Sequence, residues 1–301
     1  MKILFKRSDN ALLPDIDAYI KYLNQDSMFD CYDSADLAGG YSLDDFDVIW
    51  EFKGLGGIQS DNHIVVHEYA SLSTGRFAKL KNLIKSVRNP KPDLRIFLNE
   101  DVRKGFLFKD DIPETYRDMG LDQQFLNVSK TEKEFDFIYI GSISKEREID
   151  KFLHSFSKAK QGKLHLVGTV EDDEIYTTYR NHPDITFVGR VPYKEIPEIA
   201  SKAVYGINYI PDKYPYTLQT STKMLEYSAL DLKIITTDYK WTRDFESIHN
   251  SKFYFLNDQA DFDLGGIGDF PFENNFNAHD YTWDKVFEKA DIKGKLKAIN
   301  K

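Results

Sequence analysis

FDFIYIGSISKEREIDKFLHSFSKAKQGKLHLVG, residues 135–168, decides the fold. FDFIYIG (135–141) is an apolar run of strand length that ends in glycine. Residues 147–159 follow at helical spacing, with Ile149, Phe152, Leu153 and Phe156 on one side. KLHLVG (163–168) is a second short strand, again closed by glycine. No two-residue hairpin turn joins these strands, so the stretch reads as a parallel βαβ unit. Moving outward, 171–182 reads as a helix and DITFVG (184–189) as a strand. PYKEIPEIASKA (192–203) reads as a helix interrupted at Pro197, and VYGINYI (204–210) as a strand. A helix carrying Lys223 and Glu226 leads into KIITTD (233–238). The repeated alternation predicts an α/β domain with a parallel sheet, and such sheets bind ligands beyond the carboxyl ends of their strands.

The polar segment NVSKTEKE marks a division near 128–134. Before it, KILFK (2–6), DVIWEF (47–52), HIVVHE (63–68) and LRIFLN (94–99) read as strands. PDIDAYIKYL (14–23) reads as a helix with proline in its first turn, where a missing N–H is tolerated. Residues 76–87 carry Phe77, Leu80, Leu83, Ile84 and Val87 at helical spacing. This half predicts a first α/β domain. Near the end, YTWDKVFEKA (281–290) reads as a helix with Thr282 as cap and Trp283, Val286 and Phe287 as its apolar stripe. Residues 257–280 have no clear periodicity and lack the ligand order of an EF-hand, so we expect irregular surface linked by aromatic anchors, without a calcium site.

Composition narrows the classes. The chain has 301 residues, room for two ordinary domains, and its 41% apolar and 14% aromatic content supports real cores. The 49 acidic residues against 40 Lys and Arg give a formal charge of −9. That balance disfavours non-specific nucleic-acid binding, which rests on phosphate neutralisation. Cys31 is the only cysteine, so no intrachain disulfide forms and a reducing compartment is expected. MKILFKRSDN lacks the apolar length of a signal peptide. No stretch approaches the roughly 18–20 apolar residues of a membrane span. The expected location is cytoplasmic, with room for peripheral contact at the inner face of the membrane.

Several strand-end stretches carry chemistry. Gly141 and Ser142 form a βα turn that can aim N–H groups at phosphate, and Arg147 adds a charge at the next helix start. Taken alone, these are also the parts of an ordinary βα loop. Lys223 and Glu226 sit three apart and share a helix face. Alone they read equally as a surface ion pair; together they could hold a diphosphate and sugar hydroxyls. Gly189 closes a strand before Val191–Pro192, a loop on which a base could lie. His67 and Glu68 stand at a strand end ahead of Gly75, where His67 could donate to a sugar hydroxyl or be locally hydrogen-bonded. GLGG (54–57) and STGR (73–76) permit close approach or plain turns. Glu51 and Arg76 are weaker candidates for acceptor contacts.

Set in order, these stretches resemble the retaining GT-B glycosyltransferases of the family 4 type. TSTKMLEYSALDLKIITTD (220–238) is similar to the family's donor-site helix and following strand. IYIGSISKERE (138–148) is similar to its phosphate loop, FVGRVPYKEIPEIASKA (187–203) to its base-recognition stretch, and HIVVHEYASLSTGR (63–76) to its histidine loop. The resemblance implies two Rossmann-like domains facing across a crevice: 1–130 on the acceptor side, 131–280 binding the nucleotide sugar, and 281–301 crossing back as a helix. It implies Glu226 on the ribose and Val191 near the base. Arg147 and Lys223, with neighbours Ser221 and Thr222, would lie on the diphosphate and His67 on the donor sugar. It further implies a UDP-sugar donor, a glycan or lipid-linked acceptor, retention of configuration, and no metal or other cofactor. The chain departs from the pattern at Leu218, where many members have an acid, and at Ser142, where many have arginine. Glu148, Asp231 and Lys233 stand where Gly, Gly and Pro are frequent. Leu218, Ser142 and Asp231 keep open a non-catalytic GT-B-like subunit of a glycan-assembly complex; a nucleotide-sugar epimerase with a similar crevice is a further alternative.

Overall fold

The computed structural model describes residues 1–7, 14–37, 40–129, 131–256, 262 and 264–299. The chain forms two compact units. The first comprises Met1–Asp122, Leu218–Thr220 and Asp280–Lys301; the second comprises Gln123–Thr217 and Ser221–His279.

The first unit opens with β1 (Lys2–Lys6), α1 (Pro14–Leu23), β2 (Asp30–Asp33), β3 (Val48–Phe52) and β4 (Ile64–Tyr69). It continues through α2 (Ala78–Arg88), β5 (Leu94–Phe97), α3 (Glu100–Lys104) and β6 (Glu114–Tyr116). Among the described residues these strands make one six-stranded sheet, ordered β2-β1-β3-β4-β5-β6, with every pair parallel. All six residues of β4 are buried, as expected of a central parallel strand covered on both faces.

The second unit runs β7 (Phe135–Ile140), α4 (Ile149–Ala159), β8 (Leu164–Val167), α5 (Asp173–Tyr179), β9 (Ile185–Gly189) and α6 (Ile196–Ser201). It closes with β10 (Ala203–Asn208), α7 (Thr222–Ala229), β11 (Lys233–Thr237), α8 (Lys240–His249) and β12 (Tyr254–Leu256). Its described strands form a second six-stranded parallel sheet, β12-β11-β10-β7-β8-β9. The apolar stripe of α4, Ile149, Phe152, Leu153 and Phe156, is buried against Phe137, Leu164 and Leu166 in one core.

The chain then returns to the first unit as α9 (Trp283–Lys289) and α10 (Ile292–Ala298). Trp283, Val286, Phe287, Ile292 and Leu296 join Ile3, Phe5, Tyr19 and Trp50 in a single core. Phe287 stacks on Tyr19 with ring centroids 4.1 Å apart. The Thr115 hydroxyl donates to the Ala290 carbonyl at 2.8 Å. Burying aromatic rings of this size is the main reason a terminal helix stays docked.

Three local readings change in the structure. Pro197 does not interrupt a helix: Tyr193–Glu195 is a single 3₁₀ turn, and α6 starts at Ile196 with proline in its first turn. The helix expected from Arg147 starts at Ile149, because Glu148 takes a left-handed conformation (φ 57°). The stretch from 257 to 280 has an aromatic anchor, as expected, but is more regular than expected. Phe262 and Leu264 are buried, and short 3₁₀ turns occupy 267–269 and 278–281. Residues 257–261 and 263, and Lys130 within the 128–134 linker, lie outside the described residues.

Candidate nucleotide site

Three neighbouring strands of the second unit end in glycine: Gly141 after β7, Gly168 after β8 and Gly189 at the end of β9, all with positive φ. The Gly141 N–H donates to the Val167 carbonyl and the Gly168 N–H to the Gly189 carbonyl, each at 2.9 Å. A Cβ at Gly168 would collide with the Gly141 carbonyl oxygen, so only glycine fits there. The sheet's carboxyl edge is therefore bare backbone along β7-β8-β9. Gly168 escaped the sequence reading; its signal was the repetition of strand-terminal glycine in FIYIG, LHLVG and TFVG.

Helix α7 begins beside this edge. Its N-cap, Ser221, makes no side-chain cap bond to the helix. Its buried hydroxyl instead donates to Asn208 Oδ1 at 2.7 Å, and Asn208 Nδ2 donates to Thr236 Oγ1 at 2.9 Å. The side chain that would cap the helix is thus committed to the sheet. The Met224 N–H bonds the Ser221 carbonyl at 3.1 Å, so the positive end of the helix can offer an anion the earlier N–H groups, of Thr222 and Lys223.

Two cations meet there. Lys223, on the first turn of α7, lies 5.5 Å from the centroid of the Tyr139 ring. Arg147 lies 5.6 Å from the Tyr216 ring and close enough to Tyr139 and Lys223 to influence both. Both cations are half-buried. Among the described residues no carboxylate comes within 4 Å of either, although the protein carries a net negative charge. Burial pushes the Lys223 ammonium down, and repulsion from Arg147 adds to it; Glu226 offsets part, leaving a pKa of about 7. A buried cation without a counter-ion is costly, and a bound anion removes that cost.

Glu226, one turn further along α7, faces a different neighbour. Tyr193 donates its hydroxyl to Glu226 Oε1 at 2.8 Å. Burial raises the Glu226 pKa to about 7 despite the Tyr193 hydrogen bond and the Lys223 charge, which both lower it. Tyr193 follows the half-buried Val191 by two residues, so the proposed base loop is tied directly to the proposed ribose acid. Tyr193 was not singled out from sequence, and an aromatic in a proline-flanked loop gave little to single it out by.

The structure thus gathers Gly141, Arg147 and Lys223 around Tyr139, and Glu226 with the Val191 loop. Ser221 is spoken for by Asn208, and Ser142 Oγ donates to Glu171 at 2.6 Å. Thr222 is half-buried at the first position of α7. Leu218, where an acid would be frequent, belongs to the first unit, and its carbonyl accepts from Asn99 Nδ2 at 3.2 Å. Asp231 keeps the left-handed turn that glycine favours (φ 54°) and accepts from Asn274 Nδ2 at 3.1 Å.

His67 belongs to the first unit. β4 runs two residues past it to Tyr69, so it lies within the sheet and is fully buried. Its ring sits 3.4 Å from Glu51 across the β3–β4 register, and burial lowers its pKa, favouring neutral imidazole. Burial pushes Glu51 up, but His67, the Ile58 N–H and Lys53 outweigh this and hold it at about 2. GLGG wraps this pair: Lys53 Nζ donates to the Gly56 carbonyl at 2.6 Å, and the Ile58 N–H to Glu51 at 3.0 Å. Glu51 is therefore buried and bonded within its own surroundings. Arg76 is exposed, beside the left-handed turn at Gly75. Glu68 is buried on the other side of β4, bound by Arg117, which also reaches Asp15 at 2.7 Å; Trp50 Nε1 donates to it at 2.9 Å.

No family model and no curated protein matches the sequence. Solved structures do. Anabaena HepE in complex with UDP-glucose superposes with a TM-score of 0.72 at 12% identity, covering 99% of this chain and 100% of that one. A glycosyltransferase from Rickettsia africae reaches 0.66 at 10% identity over 99% of both chains. AviGT4, a glycosyltransferase involved in avilamycin A biosynthesis, reaches 0.64 at 12% identity over 98% and 97%. At such identities the likeness is one of fold, and by its two parallel α/β sheets and returning C-terminal helix this chain has the fold of the GT-B glycosyltransferases.

Proposed function

We propose that this protein is a glycosyltransferase that takes a sugar from a nucleoside diphosphate, a UDP-sugar, and passes it to a glycan or lipid-linked acceptor. The observation that carries the reading is the pair of half-buried cations, Arg147 and Lys223, at the uncapped start of α7, with no carboxylate within 4 Å of either among the described residues. A diphosphate supplies the missing negative charge. The bare glycine edge at Gly141, Gly168 and Gly189 lets it approach the backbone. Glu226 accepts from the ribose hydroxyls, and the Val191 loop, pinned by Tyr193, carries the base. HepE, bound to UDP-glucose in its own crystal, supports the choice of uridine and of a hexose.

In the reaction the bond between the anomeric carbon and the diphosphate breaks. Negative charge grows on the leaving phosphate, where Arg147, Lys223 and the helix terminus stabilise it without reorganisation. Two fixed cations can do the work that a divalent metal does elsewhere, so we propose a metal-independent enzyme. Retention, proposed from the family resemblance, has the departing phosphate help deprotonate the acceptor hydroxyl on the same face. His67 is proposed to act by holding Glu51 and its loop in place.

The test is release of UDP from a panel of UDP-sugars with candidate acceptors, with and without a chelator. Acceptor-dependent release that survives chelation supports the reading. Release abolished by chelation and restored by metal refutes the metal-free step. Nucleotide binding without turnover on any acceptor favours a binding subunit, and interconversion of the sugar nucleotide without acceptor favours an epimerase.

A further inference from the structure

Helix α2 is built inside out. Its inward face is small or polar: Ala78 and Asn82 are buried, and Asn82 Oδ1 accepts from the Ser73 N–H at 3.0 Å. The Ser86 hydroxyl donates to the Asn82 carbonyl and accepts the Leu107 N–H. The apolar stripe predicted from sequence, Phe77, Leu80, Leu83, Ile84 and Val87, points outward and is between 38% (Leu83) and 75% (Val87) exposed. A stripe of that length is unusual on a solvated surface and marks a docking face.

The charge around it is one-sided. From Arg76 to Pro92 the sequence holds Arg76, Lys79, Lys81, Lys85, Arg88 and Lys91 and not one acid, in a chain of net charge −9. At about 100° per residue, Lys81 and Arg88 fall along one flank of the apolar stripe and Lys79 along the other. Two neighbouring loops extend the surface. Leu107 abuts the helix through Ser86, and Leu55 through Asn89, which bonds Gly54 and Gly56; both leucines are exposed. An apolar face flanked by cations is the pattern of a helix lying in a bilayer interface.

We infer that α2 docks this protein on an anionic phospholipid surface, with Leu80, Ile84 and Val87 entering the acyl boundary and the flanking cations meeting headgroup phosphates. No described helix is long and apolar enough to cross a membrane, so the contact is peripheral. A second copy of the chain suits this face poorly, since a symmetric contact would set one cationic rim against another. The inference is independent of the nucleotide site and is tested without nucleotide.

The experiment is co-sedimentation of the whole protein with vesicles of phosphatidylcholine alone or mixed equally with phosphatidylglycerol. The wild type is expected to bind the mixed vesicles and to leave them at high salt. Leu80→Gln/Ile84→Gln and Lys81→Glu/Arg88→Glu are each expected to weaken binding about tenfold or more. These side chains are exposed, and an unchanged melting curve confirms that the variants fold. Failure of the wild type to bind mixed vesicles, or equal binding by folded variants, overturns the inference. So does a dimer in solution that the apolar variants dissolve while vesicles stay unbound, which would give the face to a second copy.

Discussion

The Tyr193 hydroxyl donates to the Glu226 carboxylate at 2.8 Å, joining the loop after β9 to helix α7. Each of the two holds one half of the proposed nucleoside, so neither is expected to move alone. Glu226→Ala should weaken UDP binding by about tenfold or more, as befits lost hydrogen bonds to a charged group of about 1.5–3 kcal/mol, and Tyr193→Phe by a smaller factor, since it removes only the support of that carboxylate. Calorimetry on both variants measures this. An unchanged Kd for Glu226→Ala removes the ribose role from Glu226.

The acid and base of α7 predict a bell-shaped pH dependence of UDP affinity. Lys223 is lowered to about 7, so above that pH the free protein has lost the ammonium that a diphosphate needs, and binding must take up a proton. Glu226 is raised to about 7, so below that pH the carboxylate that accepts from ribose is protonated. Affinity should peak near neutrality, with apparent pKa values that belong to the pair. Lys223→Arg should flatten the alkaline limb and Glu226→Gln the acid limb. Titrations in two buffers of different ionisation enthalpy should show proton uptake above pH 7 in the wild type only. The same alkaline limb in Lys223→Arg would contradict the assignment.

His67 is predicted to matter for turnover more than for nucleotide binding. It lies in the first unit, buried against Glu51, whereas the nucleotide groups lie in the second. His67→Ala should lower kcat by on the order of 10²-fold, through displacement of the Glu51 loop, while UDP affinity changes little. His67→Gln, whose amide can donate to Glu51, should recover part of the loss. Equal losses in affinity and turnover would point to general destabilisation.

Arg117 predicts stability. It is fully buried with Glu68 and Asp15, and Trp50 completes the carboxylate's bonding. Arg117→Met leaves two acids buried without their cation and should cost about 3–5 kcal/mol, the usual penalty for breaking a buried pair from one side. Urea denaturation reads it; a loss below about 1 kcal/mol would show the carboxylates neutralised by protonation instead.

The second unit was legible where helices present strong apolar stripes between strands ending in glycine, as in 135–168. The strand and helix positions of β1 and α1 were equally plain. Short or polar elements were not. DCYD (β2) and ETY (β6) are too short to show a period, and KWTRDFESIH (α8) and IKGKLKA (α10) bury few residues each. Pro197 misled because a proline in a first turn and one that breaks a helix look alike in sequence. At the site, Arg147, Lys223 and Glu226 were visible as charges at the start of helices that follow strands. Tyr193 acts through a contact distant in sequence, which one chain cannot display, whereas Gly168 was legible in the repeated strand-terminal glycine. HIVVHE reads as a strand to Glu68, and β4 extends one residue further, through Tyr69.

The central claim is that the second unit holds a nucleoside diphosphate through Arg147 and Lys223. Calorimetry of the wild type and of Arg147→Ala/Lys223→Ala against UDP, GDP and ADP, with uridine as a probe lacking phosphate, tests it most directly. The account predicts that the wild type binds UDP best and that the double variant loses UDP affinity about a hundredfold or more. It predicts that the double variant keeps whatever weak affinity the wild type has for uridine. No binding of any nucleoside diphosphate by folded wild-type protein, or UDP binding undiminished in the double variant, would contradict it.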